Sequence, residues 1–358
     1  MSKVRVIAAM SGGVDSAAAA GLLVEAGYDV VGVTMKMYTP SKPAHAKSCC
    51  GVDDFDDARR SAAILGIPHY VLDFEQAFRR NVVDRFADEY ARGRTPNPCV
   101  SCNNFVKLGT LAEYARRLGA RYVATGHYAR IEHRDDGPHL YRNRSGKDQS
   151  YALAQLSPEQ LAGLLLPLGS LDKAATREHA RRLGLPVHDK AESQDICFVE
   201  GGDYRDVLAQ ARPGSSAPGS VVTGDGRVAG SHRGIAGYTV GQRSALPPSA
   251  EGPRYVTRID AATNTIVIGR EEELLASRVA ADEASVIRPE RFSAGETEVL
   301  AAVRYRGEAS PARATLAGGM LELRFERPVR AVAPGQLVAL YDRDGEVLAG
   351  ATIREARP

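Results

Sequence analysis

Residues 1–200 alternate apolar runs with helical patterns, and this alternation restricts the fold more than any other feature of the chain. An apolar run at 4–9 predicts a strand, a turn with Gly12 and Gly13 follows, and an alanine-rich pattern at 15–26 predicts a helix. Further strands are predicted at 30–35, 69–72 and 121–125, and further helices at 53–65, 74–92 and 103–118. Such alternation is typical of parallel strands joined by helical crossovers. We therefore expect an α/β fold with an open parallel sheet, helices on both of its faces, and ligands at the carboxyl ends of the strands.

The sequence pattern changes after residue 200. Between 213 and 253, 14 of 41 residues are Gly or Pro, which predicts loops and short strands in a small central domain. Beyond residue 277 the pattern predicts strands alone, with Gly318-Gly319 and Asp344-Gly345 as hairpin turns. We expect strands at 298–305, 312–316, 321–325, 337–341 and 347–353. A C-terminal antiparallel β-barrel follows, so the predicted domains are 1–200, 201–276 and 277–358.

Composition excludes several classes of protein. The 358 residues include 46 basic and 44 acidic ones, so bulk charge gives no reason to expect nucleic-acid binding, and any polyanion site must be local. No apolar run approaches the roughly 18 residues that span a bilayer, and we expect a cytosolic protein without membrane association. Five cysteines in a reducing compartment favour chemistry or metal binding over disulfides. We expect the adjacent Cys49 and Cys50 to be exposed thiols without a catalytic role.

The loop after the first predicted strand has the composition of a phosphate site. It consists of Ala9, Met10, Ser11, Gly12, Gly13, Val14, Asp15 and Ser16. Glycines let a backbone approach an anion closely, and the helix that follows points N–H groups at it. The loop lacks the Gly-Lys-Ser/Thr ending of the Walker type and resembles the pyrophosphate loop of the ATP pyrophosphatases. The alternative is an ordinary turn capped by Ser11 and Asp15.

Three further cysteines occur in two distinctive segments. Cys99 and Cys102 follow two prolines at the start of a predicted helix, where the helix dipole lowers a thiol pKa, so we expect a thiolate. The third, Cys197, lies between Ile196 and Phe198. As an alternative to a chemical role, Cys197 is a small buried hydrophobic residue.

Taken together, these segments resemble the tRNA-specific 2-thiouridylases over nearly the whole chain. The motifs that carry the resemblance, in addition to the loop and the cysteines, are Gly126-His127-Tyr128, Lys147-Asp148-Gln149-Ser150-Tyr151, Tyr238-Thr239-Val240-Gly241-Gln242-Arg243, Arg304-Tyr305-Arg306 and Pro334-Gly335-Gln336. Their order and spacing are also similar to those of the family. The resemblance implies a nucleotide-binding α/β domain, a small central domain and a C-terminal β-barrel.

The family resemblance also implies an activity. ATP, with Mg²⁺, would adenylate the C2 oxygen of the wobble uridine in the anticodon of a tRNA. The loop at 9–16 would hold ATP, together with Met35 and Gly126. Cys197 would carry a persulfide, loaded by a sulfur donor such as a cysteine desulfurase or a relay protein. Cys102 would then release the sulfur by forming a disulfide with Cys197.

The tRNA contacts are likewise implied by the resemblance. Asn97, Pro98 and Cys99 would lie against the target base, which is flipped out of its stack. The other implied tRNA contacts are His127, Lys147, Asp148, Gln149, Arg304, Tyr305 and Gln336. The alternatives are a solvated loop for the Lys147 segment and an outward strand face for the arginines.

Cys99 departs from the family pattern, because many members carry at this position an Asp that is thought to act as general base. A thiol replaces a carboxylate as base only if its pKa is depressed. Alternatively, Cys99, Cys102 and Cys197 ligate three irons of a [4Fe-4S] cluster. A zinc site or purely structural thiols are further alternatives.

Two other classes of function compete with tRNA thiolation. One is another pyrophosphate-loop synthetase, of the amidotransferase or tRNA lysidine synthetase type, which transfers nitrogen and needs no cysteine. The other is a non-catalytic RNA-binding or metal-binding protein. Turnover of ATP to AMP in the presence of tRNA distinguishes an enzyme from the binding protein.

Overall fold

The N-terminal part of the chain is built on five parallel strands. The computed structural model describes residues 3–39, 52–191, 196–199, 203–212, 217–250 and 252–358. The first strands are β1 (Arg5–Ala9), β2 (Asp29–Lys36), β3 (His69–Asp73), β4 (Tyr122–Ala124), β5 (Ala129–Arg134), β6 (Gly137–Arg142) and β7 (Leu164–Leu165). The parallel sheet has the order β3-β2-β1-β4-β7, while β5 and β6 form a separate antiparallel hairpin. The expected open parallel sheet is therefore confirmed.

Apolar strand composition explains this sheet. The central strand β1 is buried over Val6, Ile7 and Ala8, as parallel strands covered on both faces require. Its Ala8 pairs with Gly32 of β2 on one side and with Ala124 of β4 on the other. Small residues at this level let the helices pack closely on the sheet.

The helices follow the predicted order with two differences. They are α1 (Val14–Glu25), α2 (Val52–Ile64), α3 (Glu75–Phe78), α4 (Arg85–Ala91), α5 (Pro98–Ser101), α6 (Leu111–Arg117), α7 (Pro158–Ala162), α8 (Lys173–Arg182) and α9 (Tyr204–Ala211). The helix predicted over 74–92 contains a π-helical segment, Arg79–Asp84. The helix predicted from Asn103 instead begins at Pro98, a residue suited to a first helical position, and continues through a π-helical segment, Cys102–Thr110. Such segments are frequent at functional sites.

The chain divides into two structural units, which we describe separately. One consists of Met1–Val82, Cys99–Gly202 and Gly345–Val347, and the other of Val83–Pro98, Asp203–Asp344 and Leu348–Pro358. The division into three domains at residues 200 and 276 stays a prediction. Cys49 and Cys50 lie outside the described residues, so the expectation for these thiols also stays a prediction.

The second unit contains a small mixed sheet of four strands. These are β8 (Gly219–Thr223), β9 (Val228–His232), β10 (Tyr255–Asp260) and β11 (Thr265–Gly269), in the order β10-β11-β8-β9. Val221, Val256, Ile266 and Ile268 form its buried core together with Tyr238. The strands are short, as the high Gly and Pro content predicts.

The same unit contains a closed antiparallel barrel. Its strands are β12 (Leu275–Val286), β13 (Thr297–Ala302), β14 (Ser310–Ala317), β15 (Met320–Arg330), β16 (Leu337–Tyr341) and β17 (Val347–Arg357), in the order β12-β15-β14-β13-β16-β17. Small and branched residues fill its interior, among them Ala314, Val338, Leu340 and Leu348. The expected C-terminal barrel and its hairpins at Gly318-Gly319 and Asp344-Gly345 are confirmed. Within the described ranges, no helix is both long enough and apolar enough to cross a membrane.

The barrel interior should dominate the stability of this region. Leu340 is fully buried in the barrel core, so Leu340→Ala removes apolar contacts and leaves a cavity. We expect a loss of about 2–5 kcal/mol in the free energy of opening of barrel amides, measured by native-state hydrogen exchange. Leu275→Ala is the matched control, because Leu275 is 41% exposed, and it should cost less than about 1 kcal/mol. Equal losses in the two variants would contradict this assignment of the core.

Candidate active site

The loop after β1 is held in shape by its own serines. The Ser11 backbone N–H donates to Ser16 Oγ at 3.1 Å, and the Ser16 hydroxyl donates to the Gly13 carbonyl at 3.0 Å. The first position before α1 is Gly13, which has no side chain to cap the helix. No side-chain cap is formed at the start of α1, but whether the loop binds phosphate or is an ordinary turn stays a prediction. The N–H groups of the first helical turn face the loop, an arrangement that favours an anion.

Gly126 packs directly against this loop. A Cβ atom at Gly126 would lie 2.7 Å from the carbonyl carbon of Asp15 and 2.8 Å from the backbone nitrogen of Ser16. Gly126 follows β4, the neighbour of β1, whereas β2 and β3 lie on the other side of β1. The chain thus reverses its direction of strand addition at this point, which is where open α/β sheets bind ligands. The structure brings together the loop and Gly126, as the sequence predicts.

Four residues predicted for the nucleotide site have apolar side chains. Met10, Val14 and Met35 are buried, while Ala9 is half-buried at the end of β1. They shape the base of the loop through packing. Thr34, next to Met35, donates its hydroxyl to the Met10 carbonyl at 2.7 Å and so ties β2 to the loop.

The Asp15 carboxylate contacts a hydroxyl group and two lysine ammonium groups from distant parts of the chain. Its Oδ1 accepts from the Tyr128 hydroxyl and from Lys173 Nζ, both at 2.7 Å. Lys147 Nζ lies 3.5 Å from Asp15 Oδ2 and 4.6 Å from the centre of the Tyr128 ring. Tyr128 is fully buried, and its hydroxyl also lies 3.0 Å from Thr176 Oγ1. Two ammonium groups are thus placed beside the loop, where they suit the phosphates of a nucleotide.

A third lysine, Lys190, binds the backbone of the loop. Its Nζ donates to the Gly12 carbonyl at 3.0 Å and to Asp54 and Asp57 of α2 at 2.6 Å each. Burial opposes its charge, but the hydrogen bonds to both carboxylates outweigh burial and raise the pKa of Lys190. Lys173 and Lys190 were not predicted from the sequence, because they belong to no recognisable motif and act through contacts far along the chain.

The three cysteines Cys99, Cys102 and Cys197 differ in exposure. Cys99 is exposed, Cys102 is buried and Cys197 is half-buried, and the structure records all three as thiols. Cys102 lies 3.9 Å from the sulfur of Met37. Beside Cys197, Phe198 is buried and its ring packs edge-on against Phe78 at 5.7 Å. Phe198 therefore anchors this segment, and Cys197 is more accessible than a core residue.

The cysteines do not form a preassembled metal site. Among the residues that the structure describes, no three His, Cys, Asp or Glu side chains are grouped closely enough to hold a metal ion. The donor set of an iron-sulfur or zinc site therefore does not fit the residues as they are placed. Residues 193–195 of the Cys197 motif lie outside the described ranges.

The predicted thiolate is wrong for Cys99. Desolvation raises the pKa of its thiol, and the positive charge of Lys107 only partly opposes this effect. The side chain reaches solvent, but the surrounding protein atoms still remove much of its hydration. Cys99 is consequently protonated near neutral pH, and it is a poor general base.

His127 is uncharged for the same reason. Desolvation, followed by repulsion from Lys107, lowers its pKa to about 3. Its Nδ1 lies 2.8 Å from the Thr125 hydroxyl oxygen. Lys107 in turn donates to Asn103 Oδ1 at 3.0 Å, and the buried Asn103 donates to the Ala152 carbonyl at 3.1 Å. Lys107, which the sequence analysis missed, therefore acts on both Cys99 and His127. Its spacing of four residues from Asn103 was the available signal.

Three family models match successive parts of the chain. Residues 4–201 match a model described as tRNA methyl transferase HUP domain, and 205–270 match its PRC-barrel domain. Residues 278–353 match an aminomethyltransferase beta-barrel domain. The first of these models alone covers more than half of the chain.

Curated relatives match nearly the full length. The tRNA-specific 2-thiouridylase MnmA of Clostridium perfringens (strain 13 / Type A) is 43% identical over an alignment of 359 residues that covers 99% of this chain and 99% of the relative. The proteins of the same name from Methylorubrum populi and Moorella thermoacetica are 47% and 46% identical, with coverage of 98% and 96% of this chain and 93% and 98% of theirs. The chain belongs to the tRNA-specific 2-thiouridylase family. The resemblance found in the sequence is confirmed.

Solved structures are less similar. A 4-thiouridine synthetase in complex with RNA and ATP is 15% identical, with a TM-score of 0.35, and the match covers 59% of this chain and 50% of that one. NMN synthetase from Francisella tularensis is 21% identical, with a TM-score of 0.34, and the match covers 58% of this chain and 76% of that one. These structures are too distant to assign a role to any residue of this chain.

Two of the residues that the family resemblance assigns to tRNA make internal contacts. Asp148 accepts from Arg142 Nε and from the backbone N–H groups of Asn143 and Ser150, at 3.0–3.1 Å. Gln149 Oε1 accepts from the Tyr128 backbone N–H at 2.9 Å. These bonds hold the segment beside the buried Tyr128, and its role toward tRNA stays a prediction.

Five of the assigned residues lie in the second unit. Tyr305 is 40% exposed, and the Arg306 guanidinium lies 5.4 Å from the centre of its ring. Arg304 is also exposed, Asn97 is half-buried and Pro98 is buried. Gln336 is half-buried and contacts the backbone of residue 95. Their contacts with tRNA stay predictions.

The close packing of Gly126 gives a direct test of the loop. Gly126→Ala would force the backbone of residues 15 and 16 away from its position, so we expect ATP affinity to fall by at least about tenfold. Titration calorimetry with ATP measures the effect. Gly163→Ala is the matched control, because the nearest atom to its Cβ lies at 3.8 Å and its φ is −93°. An unchanged affinity in Gly126→Ala would contradict a nucleotide site at this loop.

The lowered pKa of His127 predicts a pH effect with a definite sign. Between the ordinary imidazole value of 6.5 and about 3, the unfolded chain binds a proton at this residue and the folded protein does not. Folding stability is therefore lost as the pH falls through this range. In NMR spectra, the His127 ring resonance should not titrate between about pH 8 and pH 5, and His127→Gln assigns that resonance by its absence. An inflection near the ordinary value would contradict burial of the neutral ring.

Proposed function

We propose that the protein catalyses the ATP-dependent 2-thiolation of the wobble uridine of tRNA. The observation that carries the proposal is one structural unit in which a glycine-rich loop packs on Gly126 and which also contains Cys99, Cys102 and Cys197. Relatives at 43–47% identity over nearly the full length bear the name tRNA-specific 2-thiouridylase. A tRNA-modifying enzyme of this kind would act in the cytoplasm, where ATP and tRNA are present.

The first step activates the uridine. The C2 oxygen attacks the α-phosphorus of ATP, a C–O–P link forms and pyrophosphate leaves. The loop N–H groups, Lys173 and Lys147 would hold the phosphates and offset the charge that develops on pyrophosphate. Magnesium would enter with ATP, whose phosphates supply most of its ligands, and Asp15 is the loop carboxylate that fits it.

The second step transfers sulfur. The terminal sulfur of a Cys197 persulfide attacks C2, and AMP leaves with the original oxygen. The Cys102 thiolate then attacks Cys197 Sγ, which forms a Cys102–Cys197 disulfide and releases the 2-thiouridine. A thiol reductant resets the pair. The half-buried position of Cys197 suits loading by a sulfur donor, such as a cysteine desulfurase or a relay protein.

The charges around Cys99 suit this sulfur chemistry. Lys107 acts on Cys99 and on the neutral His127, so this region favours an anion over a cation. A protonated Cys99 stands where other family members carry the Asp that is thought to act as general base, and Cys99 would lie beside the target base with Asn97 and Pro98. A general base other than Cys99 must accept any proton that is released. The remaining tRNA contacts would come from His127, Lys147, Asp148, Gln149, Arg304, Tyr305 and Gln336.

A [4Fe-4S] route is the alternative to the persulfide. It requires Cys99, Cys102 and Cys197 to meet as ligands, and they are not grouped in this way among the described residues. The proposed steps therefore use a persulfide and not a cluster. The two routes differ in one variant, because Cys99→Asp removes a ligand from the cluster but restores the family's carboxylate.

The test is a thiolation assay with anaerobically purified protein. A transcribed tRNA, ATP, a cysteine desulfurase and cysteine are supplied, and nucleosides are analysed by mass spectrometry. We expect 2-thiouridine and AMP from the unaltered protein. Cys197→Ser and Cys102→Ser should lose at least about 100-fold in rate, because each removes a reacting sulfur. Cys49→Ser/Cys50→Ser is the control and should retain activity.

Several outcomes would contradict the proposal. A uridine product with added nitrogen or a methyl group would assign a different group transfer, and no AMP would indicate a binding protein. Iron and sulfide analysis of the same samples tests the route. Active, iron-free Cys99→Asp protein would exclude the cluster, whereas thiolation that tracks about four irons per chain and is lost in this variant would replace the persulfide.

A further inference from the structure

Three hydrogen bonds occupy the ammonium group of Lys190. An ammonium group has three N–H donors, and Lys190 Nζ lies 3.0 Å from the Gly12 carbonyl oxygen and 2.6 Å from a carboxylate oxygen of each of Asp54 and Asp57. All three acceptors belong to the protein itself. Lys190 therefore has no donor left for the phosphates of a nucleotide.

The charges around Lys190 do not attract a phosphate either. The charge of Lys190 and that of the neighbouring Arg60 are balanced by the two carboxylates that they contact. At Asp15 the balance is different, because one carboxylate faces the ammonium groups of both Lys147 and Lys173. The positive charge that suits a phosphate is therefore beside Asp15 and not beside Lys190.

The bond from Lys190 fixes the direction of one peptide group in the loop. The described chain contains no cis peptide bond, so the Gly12 carbonyl and the Gly13 N–H point in opposite directions. Because the Gly12 carbonyl points at Lys190, the Gly13 N–H points away from it. Among the described residues, none accepts a hydrogen bond from this N–H. It is therefore a donor that an anion in the loop can use.

Packing on α2 and α8 holds Lys190 and the loop together. A Cβ atom at Gly12 would overlap the Asp54 carbonyl oxygen, so the loop backbone lies directly on the first turn of α2. The Lys190 carbonyl accepts from the guanidinium of Arg177, in α8, at 2.9 Å. All of these residues belong to one structural unit. Lys190 is thus anchored at its backbone as well as at its ammonium group.

We propose that Lys190 is a positioning residue, which holds the Gly12–Gly13 peptide group so that its N–H faces the phosphates of ATP. Asp54 and Asp57 direct the ammonium group toward the Gly12 carbonyl, and Lys190 itself does not touch the nucleotide. A donor that is held in place before the reaction stabilises the charge that develops on pyrophosphate without reorganisation. The proposal deepens the proposed function and rests on it for the identity of the anion as ATP.

The first experiment observes this peptide group directly by NMR. Glycine labelled with ¹³C at the carbonyl and ¹⁵N at the amide selects the Gly-Gly pairs, which occur at 12–13, 201–202 and 318–319. In Lys190→Met we expect the 12–13 signal to shift, because the carbonyl loses its donor. The 318–319 signal, from the turn between β14 and β15, should not move. Gly13→Ala assigns the 12–13 signal by its loss, and the φ of −97° at this residue permits alanine.

The second experiment measures ATP affinity by titration calorimetry. We expect Lys190→Met to bind ATP at least about tenfold more weakly, because the Gly13 N–H is no longer held in place. Lys3→Met is the matched control, since Lys3 is exposed and precedes β1, whereas the loop follows it. It should change neither the affinity nor the 12–13 signal. A lysine that only stabilises the fold would leave both unchanged in folded Lys190→Met, and that result would overturn the proposal.

Asp57→Asn distinguishes positioning from direct phosphate contact, and it is a milder change that keeps the lysine. Asp56→Asn is its control for charge, because Asp56 lies on the same helix and pairs with Arg59 at 3.6 Å. If Lys190 binds phosphate, loss of the competing Asp57 carboxylate frees its ammonium group, so ATP should bind more tightly than in Asp56→Asn. A positioning role predicts binding that is no tighter, together with a shift of the 12–13 signal. Tighter binding would contradict it.

These outcomes separate the failure of this proposal from the failure of the proposed function. If the unaltered protein binds ATP and Lys190→Met binds it equally well, the positioning role is excluded while the proposed function stands. If the unaltered protein binds no ATP, both proposals are overturned. Neither measurement requires turnover, so a different transferred group would contradict the proposed function without changing the result for Lys190.

Discussion

The close approach of Gly126 to the backbone of residues 15 and 16 is the constraint on which the candidate site depends. It joins the ends of two neighbouring strands, β1 and β4, and leaves no space for a side chain between them. The loop direction that results places Asp15 where it collects Tyr128, Lys147 and Lys173. Residues from three separate parts of the chain therefore reach the loop at 9–16 because two backbones meet.

Desolvation, and not the helix dipole, sets the protonation states near the cysteines. It raises the pKa of Cys99 and lowers that of His127, so both groups are neutral near pH 7. The positive charge of Lys107 acts on both residues. It lowers the pKa of the Cys99 thiol, in opposition to desolvation, and it lowers the pKa of His127 further. A carboxylate at position 99 would neutralise this lysine more than a protonated thiol does. The Cys99 form of the site therefore retains more positive potential for an anionic sulfur or phosphate group.

The sequence predicted the features that depend on local pattern. Alternating apolar runs located the parallel sheet, and glycine pairs located the barrel hairpins. It missed the hairpin β5–β6 and the long strand β12, whose alanine and charged residues give weak β signals. It also missed Lys107, Lys173 and Lys190, since each acts on residues that only the fold brings near. The pKa direction of Cys99 was wrong because burial cannot be deduced from a position near a helix start.

Gly126 and Gly335 each permit a close contact between two backbone segments, one contact in each structural unit. At each, a Cβ atom would lie within 2.8 Å of another backbone, so only glycine permits the contact. Backbone contacts have no rotamers, and they therefore fix a neighbouring segment more tightly than a pair of long side chains can. One contact fixes the loop at 9–16, and the other fixes the backbone of Thr95. A group transfer requires the reacting atoms to be held close to their productive geometry, and rigid backbone contacts of this kind contribute to that accuracy.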